Sequence, residues 1–167
     1  MGIKAFISGC EGLTLKPEEI VFFQEHVPWG LILFARNCES HEQIKSLIST
    51  FREAVGRPDA PILIDQEGGR VQRLCPPNWQ QYCPSFDFSN LYHTDTQKAL
   101  RASWLQSRLI AHDLYELGIF IDCLPVLDVP QKEADEIIGD RAYGDCPETV
   151  SALGKQAIEG LMAGGVL

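Results

Sequence analysis

A chain of 167 residues, 45% hydrophobic and 22% charged, is long enough to bury one substantial core and too short for two ordinary domains. Its net charge of −9 excludes the basic surface that nucleic acid or an anionic membrane requires, so neither is expected as a partner. No apolar run approaches the roughly 18 residues of a membrane span, and ISGC at residues 7–10 lacks the basic and apolar regions of a secretory signal, so a cytoplasmic location is expected.

Residues 3–8 (IKAFIS) read as a strand. Thr14 or the Lys16-Pro17 pair then opens a short helix whose first turn carries acids, which complement the helix dipole. The apolar run 30–35 (GLILFA) reads as a strand covered on both faces. Ser40 caps a helix over 41–56, with Gln43 at the capping-box position and Ile44, Leu47, Ile48 and Phe51 at helical spacing; Gly56 and Pro58 stop it. Residues 61–65 (PILID) are the third strand, and 75–90, rich in Pro, Asn and aromatics, read as a long loop. A helix runs from about Thr96 to Leu117 and ends at Gly118, and Ile119-Phe120-Ile121 carry the fourth strand. Pro147 opens a last helix that glycines stop near residue 165, and Val166-Leu167 read as the start of a fifth strand.

Strict alternation of strand and helix implies an α/β fold with a parallel sheet and helical crossovers. No GxGxxG follows the first strand, and the clusters of charge and glycine all follow strands. Both features favour a (β/α)8 barrel over an open doubly wound sheet. A barrel takes about 250 residues and eight strands. Residues 1–167 are therefore expected to form a single partial domain, the N-terminal half of the barrel in about four βα units, truncated before the fifth strand. Unpaired edges and an uncovered inner face, assigned to Ile32, Phe34, Ile62 and Ile64, lead to the expectation that the isolated chain self-associates.

The densest cluster of charge and glycine is 65–73 (DQEGGRVQR). Asp65 ends a strand and points into a barrel mouth, while Gly68-Gly69 allow a sharp turn and close approach to a ligand. Arg70 and Arg73, three apart, are spaced to reach one side of a turn, and a carboxylate that accepts with a guanidinium that donates in a fixed fork is a natural clamp for sugar hydroxyls; a turn decorated with surface ion pairs is the plainer alternative. Glu67 is either a general acid by position or a loop anchor. In 139–144 (GDRAYG), Asp140 and Arg141 are placed to pair with each other, and Asp128 reads as a loop tie. The histidines His26, His41, His93 and His112 show no relay or metal spacing, and the six cysteines form no CxxC. Reduced, mostly buried thiols are expected, with no metal and no cofactor.

Four stretches, 30–37 (GLILFARN), 64–74 (IDQEGGRVQRL), 124–129 (LPVLDV) and 138–144 (IGDRAYG), in this order, resemble the N-terminal domain of glycoside hydrolase family 3 over essentially the whole chain. Within that family the chain looks most like the bacterial cytoplasmic β-N-acetylhexosaminidases of peptidoglycan recycling. The resemblance implies that Asp65, Arg73 and Arg141 bind the terminal N-acetylglucosamine of a muropeptide. It implies retaining hydrolysis, in which an aspartate attacks the anomeric carbon and a histidine assisted by an aspartate on a mobile loop serves as acid/base. Those groups, and a sugar-holding Lys-His pair in a KHFPGHG-like block, have no counterpart in the sequence and are expected beyond Leu167. No catalytic residue is thus assigned within the chain, and the chain alone is expected to be inactive. Two readings stand at this point: part of such a hydrolase, or a non-catalytic remnant or interaction protein derived from the same barrel. A phosphate-binding barrel ranks below both, for want of a glycine-rich loop at a helix N-terminus.

Overall fold

The computed structural model describes residues 2–167 apart from Lys132, Ala134 and Asp135. Strand β1 (Lys4–Ser8) leads to helix α1 (Pro17–His26). Pro17 takes the first helical position, where its missing N–H costs nothing, and the Glu19 carboxylate accepts the Lys16 N–H at 2.8 Å. Strand β2 (Pro28–Leu33) precedes α2 (His41–Ala54), where Ser40 Oγ accepts the Gln43 N–H at 3.2 Å, the cap read from the sequence. Strand β3 (Ile62–Ile64) is followed by a long loop, the short helix α3 (Phe86–Tyr92) and α4 (Thr96–Leu117). Strand β4 (Ile121–Asp122) and α5 (Pro147–Ala163) complete the order.

The four strands are parallel and lie in the order β1-β2-β3-β4. A doubly wound sheet reverses direction at a switch point; this one never does. Leu31, Leu33, Ile62 and Ile64 share one buried core with Ile44, Leu47 and Phe51 of α2 and with Ile110 and Leu114 of α4. The fold is the first half of a (β/α)8 barrel, with helices packed behind one face of the sheet. Hydrogen bonding continues past β4: the Asp122 N–H donates to the Leu167 carbonyl at 2.8 Å and the Leu167 N–H to the Phe120 carbonyl at 2.9 Å.

Strand alternation sorts the apolar residues into two sets. The register pairs Leu31 with Ile62 and Leu33 with Ile64, and all four are completely buried against the helices. Leu63, aligned with Ile32 and Ile121, takes the opposite face. The assignment of Ile62 and Ile64 to the inner face is therefore corrected. A strand apolar on both faces gives no clue to which parity meets the helices. Ile32 and Phe34, half-buried, keep the inner assignment, and Ile7 and Trp29 are exposed.

Other boundaries moved for local reasons. Strand β2 starts at Pro28 rather than residue 30 and ends before Phe34, whose N–H turns aside to Asn37 Oδ1 at 2.9 Å. Helix α3 begins inside the expected loop 75–90, runs two residues past its end, and buries Phe88 and Ser89. The thiols, all unpaired, are less buried than expected: Cys10 is buried, while Cys75 and Cys123 are exposed. Among the described residues no helix is long and apolar enough to cross a membrane.

Helices α4 and α5 approach closely at Gly160. A Cβ there would collide with the Trp104 carbonyl oxygen and sit 3.0 Å from the Ser107 Cβ. A Cβ at Gly154 would instead meet the end of the exposed Leu127 side chain, which can swing away. Gly→Ala inside a helix ordinarily gains about 1 kcal/mol. At Gly160 backbone overlap wins, and Gly160→Ala is expected to lose about 1–3 kcal/mol, whereas Gly154→Ala is tolerated. Urea denaturation of both variants checks this, and an unchanged or higher midpoint for Gly160→Ala refutes it.

Candidate functional site

Asp65 follows Ile64 and so projects toward the inner face at the C-terminal end of β3. The next residue, Gln66, is completely buried and organises the turn. Its Oε1 accepts the N–H groups of Arg73 and Leu74 at 2.9 and 3.0 Å, and its Nε2 donates to the Leu74 carbonyl at 3.2 Å. The chain is folded back on itself, and Arg73 reaches Asp65 with Nη2 2.6 Å from Oδ2. The two side chains are 23% and 21% exposed, enough to meet a ligand.

Gly68 and Gly69 adopt φ of 93° and 57°, as a sharp turn requires. Their close approach, however, is to the chain itself. A Cβ on Gly68 would strike the Cys83 carbonyl oxygen, and one on Gly69 would lie 2.8 Å from the Pro84 Cβ. The glycines seat the 66–74 turn on the 80–85 loop rather than on a ligand. That loop is in turn fixed to α4 by Tyr82 Oη, which donates to Asp113 at 2.7 Å, and by Gln106, which exchanges hydrogen bonds with the Cys83 backbone.

The second charged block arrives from beyond β4. Asp140 and Arg141 do not pair with each other, contrary to the sequence reading. Arg141 donates from Nε and Nη2 to the two carboxylate oxygens of Glu67 at 2.8 and 2.7 Å, and Asp140 accepts from Arg70 Nε at 2.8 Å. Arg70 Nη2 also donates to the carbonyls of Glu136, Ile137 and Ile138. The two loops are cross-linked by a crossed set of ion pairs. Glu67 is 3% exposed with both oxygens accepting, so it is the anchor of the two roles considered for it and not a general acid. The Glu67 hydrogen bond, helped by the charges of Asp65 and Asp128, raises the Arg141 pKa above its ordinary value. Asp128, read as a loop tie, is exposed and acts through that field.

All three residues assigned to sugar binding, Asp65, Arg73 and Arg141, lie at the C-terminal end of the sheet, with Asp65 close enough to Arg141 to affect its titration. The arrangement offers one carboxylate and two guanidinium groups partly open to solvent. Such a set recognises a hydroxyl-rich neutral ligand through several donors and acceptors at once.

The pattern of the glycosyl hydrolase family 3 N terminal domain matches residues 16–167. The chain belongs to glycoside hydrolase family 3. It is 34% identical over 158 residues to the beta-hexosaminidase of Xylella fastidiosa (strain M23), covering 95% of this chain and 46% of that protein. It is likewise 33% identical to the beta-hexosaminidase of Stenotrophomonas maltophilia (strain R551-3). Among solved structures it superposes with a TM-score of 0.88 on NagZ from Neisseria gonorrhoeae in complex with N-trifluoroacetyl-D-glucosamine, at 28% identity, covering 96% of this chain and 46% of that one. A glycoside hydrolase family 3 beta-N-acetylglucosaminidase from Paenibacillus sp. str. FPU-7 matches at a TM-score of 0.81 and 26% identity, over 96% of this chain and 30% of that one. The chain spans about half the length of the beta-hexosaminidases it matches.

In this family 3 chain the sequence reading passed over two residues at the base of the site. Asp122 has the parity of Ile64, so its carboxyl turns into the protein, where Oδ1 accepts the Gln66 N–H at 2.9 Å. Its Oδ2 is buried with no partner among the described residues. Burial pushes this carboxyl well above the usual range; the Gln66 hydrogen bond opposes the shift, and the charges of Glu67 and Asp65 add to it. Cys123 has the inner parity and faces Asp65. Although the residue as a whole is exposed, partial desolvation of the thiol, then the bond to Asp65 and the surrounding carboxylates, push it up to about 12, so it remains protonated beside Asp65. The only sequence signal for either was position, one and two residues past the fourth apolar stretch.

Asp122 generates a pH prediction. A carboxyl whose folded pKa is raised contributes stability fully below its unfolded pKa of about 4 and loses it as pH rises toward the folded value. Asn has the shape of the protonated acid and does not titrate. Asp122→Asn is therefore expected to stabilise the chain at pH 7, by an amount of order 1 kcal/mol, and to lose the advantage as pH approaches 4. Denaturant midpoints between pH 4 and 7 check it; a difference that does not change with pH would show that Asp122 titrates normally.

Proposed function

We propose that these residues are part of the N-acetylglucosamine site of a retaining β-N-acetylhexosaminidase that works in the cytoplasm on peptidoglycan-derived fragments. The observation that carries this reading is the convergence of Asp65, Arg73 and Arg141 at one end of the sheet, each held by a partner through its charged end. Support comes from the family, from relatives named beta-hexosaminidase, and from a similar structure that is a complex with an N-acylated glucosamine.

Retaining hydrolysis uses two carboxyl groups about 5–5.5 Å apart on either side of the anomeric carbon. Asp65 is held by Arg73, Glu67 is held by Arg141, and Asp122 is buried behind the sheet. These three carboxyls are already engaged, and on this reading the nucleophile and acid/base belong to residues outside these 167, as the resemblance to the family implies. In the isolated chain the apolar inner face, with Ile7 exposed and Ile32 half-buried, is the surface through which copies self-associate.

The isolated 167-residue chain is accordingly expected to hydrolyse no aryl N-acetylglucosaminide above an Asp65→Ala control, and to sediment as more than a monomer. In the complete barrel enzyme, Arg141→Ala is expected to lower kcat/KM by about 2–5 kcal/mol, because it leaves Glu67 buried and unpaired and removes sugar donors. Steady-state kinetics on a folded variant decide the matter. Unchanged kinetics reduce Arg141 to a loop ion pair and defeat the sugar-site reading.

A further inference from the structure

Arg141 has five N–H donors in a rigid plane. Glu67 takes the Nε–H and one Nη2–H along the side of the guanidinium, at 2.8 and 2.7 Å. The Ile137 carbonyl takes one Nη1–H at 3.3 Å. Two donors remain, one on each terminal nitrogen, with no partner among the described residues; they form the end-on fork. Which edge of Arg141 is presented is thus set by which edge Glu67 grips.

The loop that carries Arg141 is set separately. Residues Glu136, Ile137 and Ile138 hand three successive carbonyls to Arg70 Nη2 at 3.2, 2.6 and 3.2 Å, and Asp140 adds its carboxylate to Arg70 Nε. Gly139, at φ 45°, brings the loop over the guanidinium, with its Cβ position 3.4 Å from Arg70 Nη2.

We propose that Glu67 and Arg70 are positioning residues for sugar recognition: Glu67 fixes the orientation of the Arg141 guanidinium so that its end-on fork faces the ligand, and Arg70 fixes the loop that carries it. The proposal rests on the N-acetylglucosamine reading above. Glu67 has the larger share, because its carboxylate is 3% exposed and bidentate, whereas Arg70 and Asp140 are each nearly half exposed. A Gln at position 67 keeps the shape but offers one acceptor oxygen, and its amide N–H groups oppose those of Arg141. Lys at position 141 keeps the charge and has no fork.

The test uses the protein expressed from its native reading frame, with N-acetylglucosamine as probe. Affinity is measured by titration, and the arginine Nε–H signals are followed by NMR. Glu67→Gln is expected to weaken binding about tenfold or more, and Arg70→Met by a smaller factor. In a double-mutant cycle, Glu67→Gln adds nothing to Arg141→Ala, since there is then no guanidinium left to orient. Additive losses overturn the proposal, as does a folded Glu67→Gln variant with undiminished affinity, which is what a mere loop staple would give. The Arg141 Nε–H signal needs no sugar: it is expected to be slow to exchange in the wild type and to become fast in Glu67→Gln. If the wild type binds no N-acetylglucosamine, the sugar-site reading fails while this signal still decides whether Glu67 holds Arg141. Should Glu67→Gln not fold, the wild-type signal and the Arg70→Met affinity decide, and a wild-type Nε–H exchanging at solvent rates sinks the idea.

Discussion

Ile64 and Asp65 face opposite sides of the sheet, and that alternation governs the rest of the molecule. With Ile62 and Ile64 turned to the helices, β3 is anchored by completely buried aliphatic side chains on one face. The first polar residue beyond it then has to emerge on the other face, in the barrel mouth. One register shift would bury Asp65 under α2 and α4 and turn Ile64 to the ligand. At β4 the same parity works the other way. Asp122 is turned toward the helices, where burial raises its pKa, while Cys123 emerges beside Asp65.

A buried carboxylate and a guanidinium gain from pairing only if geometry is good and the remaining donors and acceptors are used, since desolvating two charges is expensive. Glu67 and Arg141 meet the condition through two short parallel hydrogen bonds, and Arg141 keeps part of its surface in solvent. Removing either partner would strand the other. This is why the pair is better understood as orientation than as stability: a hydrophobic pair of similar volume could join the same loops at no greater cost, but it could not present a fork of N–H donors.

Much of this was legible in the sequence, for identifiable reasons. Ser40 with Gln43, Pro17, Gly118 and Pro147 act within one helical turn, so their effect on element ends is local. The DQEGGRVQR and GDR blocks stood out because charge and glycine cluster after apolar runs. Three features depended on contacts no local pattern carries. The parity of Ile62 and Ile64 is set by the register with β2. The partners of Asp140 and Arg141 lie about seventy residues away, on Arg70 and Glu67, whereas adjacency in the chain suggested that they pair with each other. Helix α3 is seven residues long, below the length at which periodicity separates a helix from an aromatic-rich loop.

The C-terminal rim is joined loop to loop in the order of the strands. After β1 and β2, Asn37 is completely buried and donates to the Cys10 and Gly12 carbonyls at 3.2 and 2.8 Å while accepting from the Phe34 N–H. From β2 to β3, the Phe34 ring lies 5.9 Å from the Arg73 guanidinium carbon, and Asn78 donates to the Glu39 carbonyl at 2.7 Å. From β3 to β4, Glu67 and Arg70 hold Arg141 and its loop. Each loop is therefore fixed by the one before it, and Asp65, Arg73 and Arg141 stand at the end of that series with their charged groups already oriented. A ligand that binds there has few side chains left to order, and ordering side chains is one of the main costs that opposes association. The same series passes a disturbance forward. Loosening Asn37 at the first joint would shift Phe34 beneath Arg73, and hence the clamp on Asp65, without altering Asp65, Arg73 or Arg141 themselves.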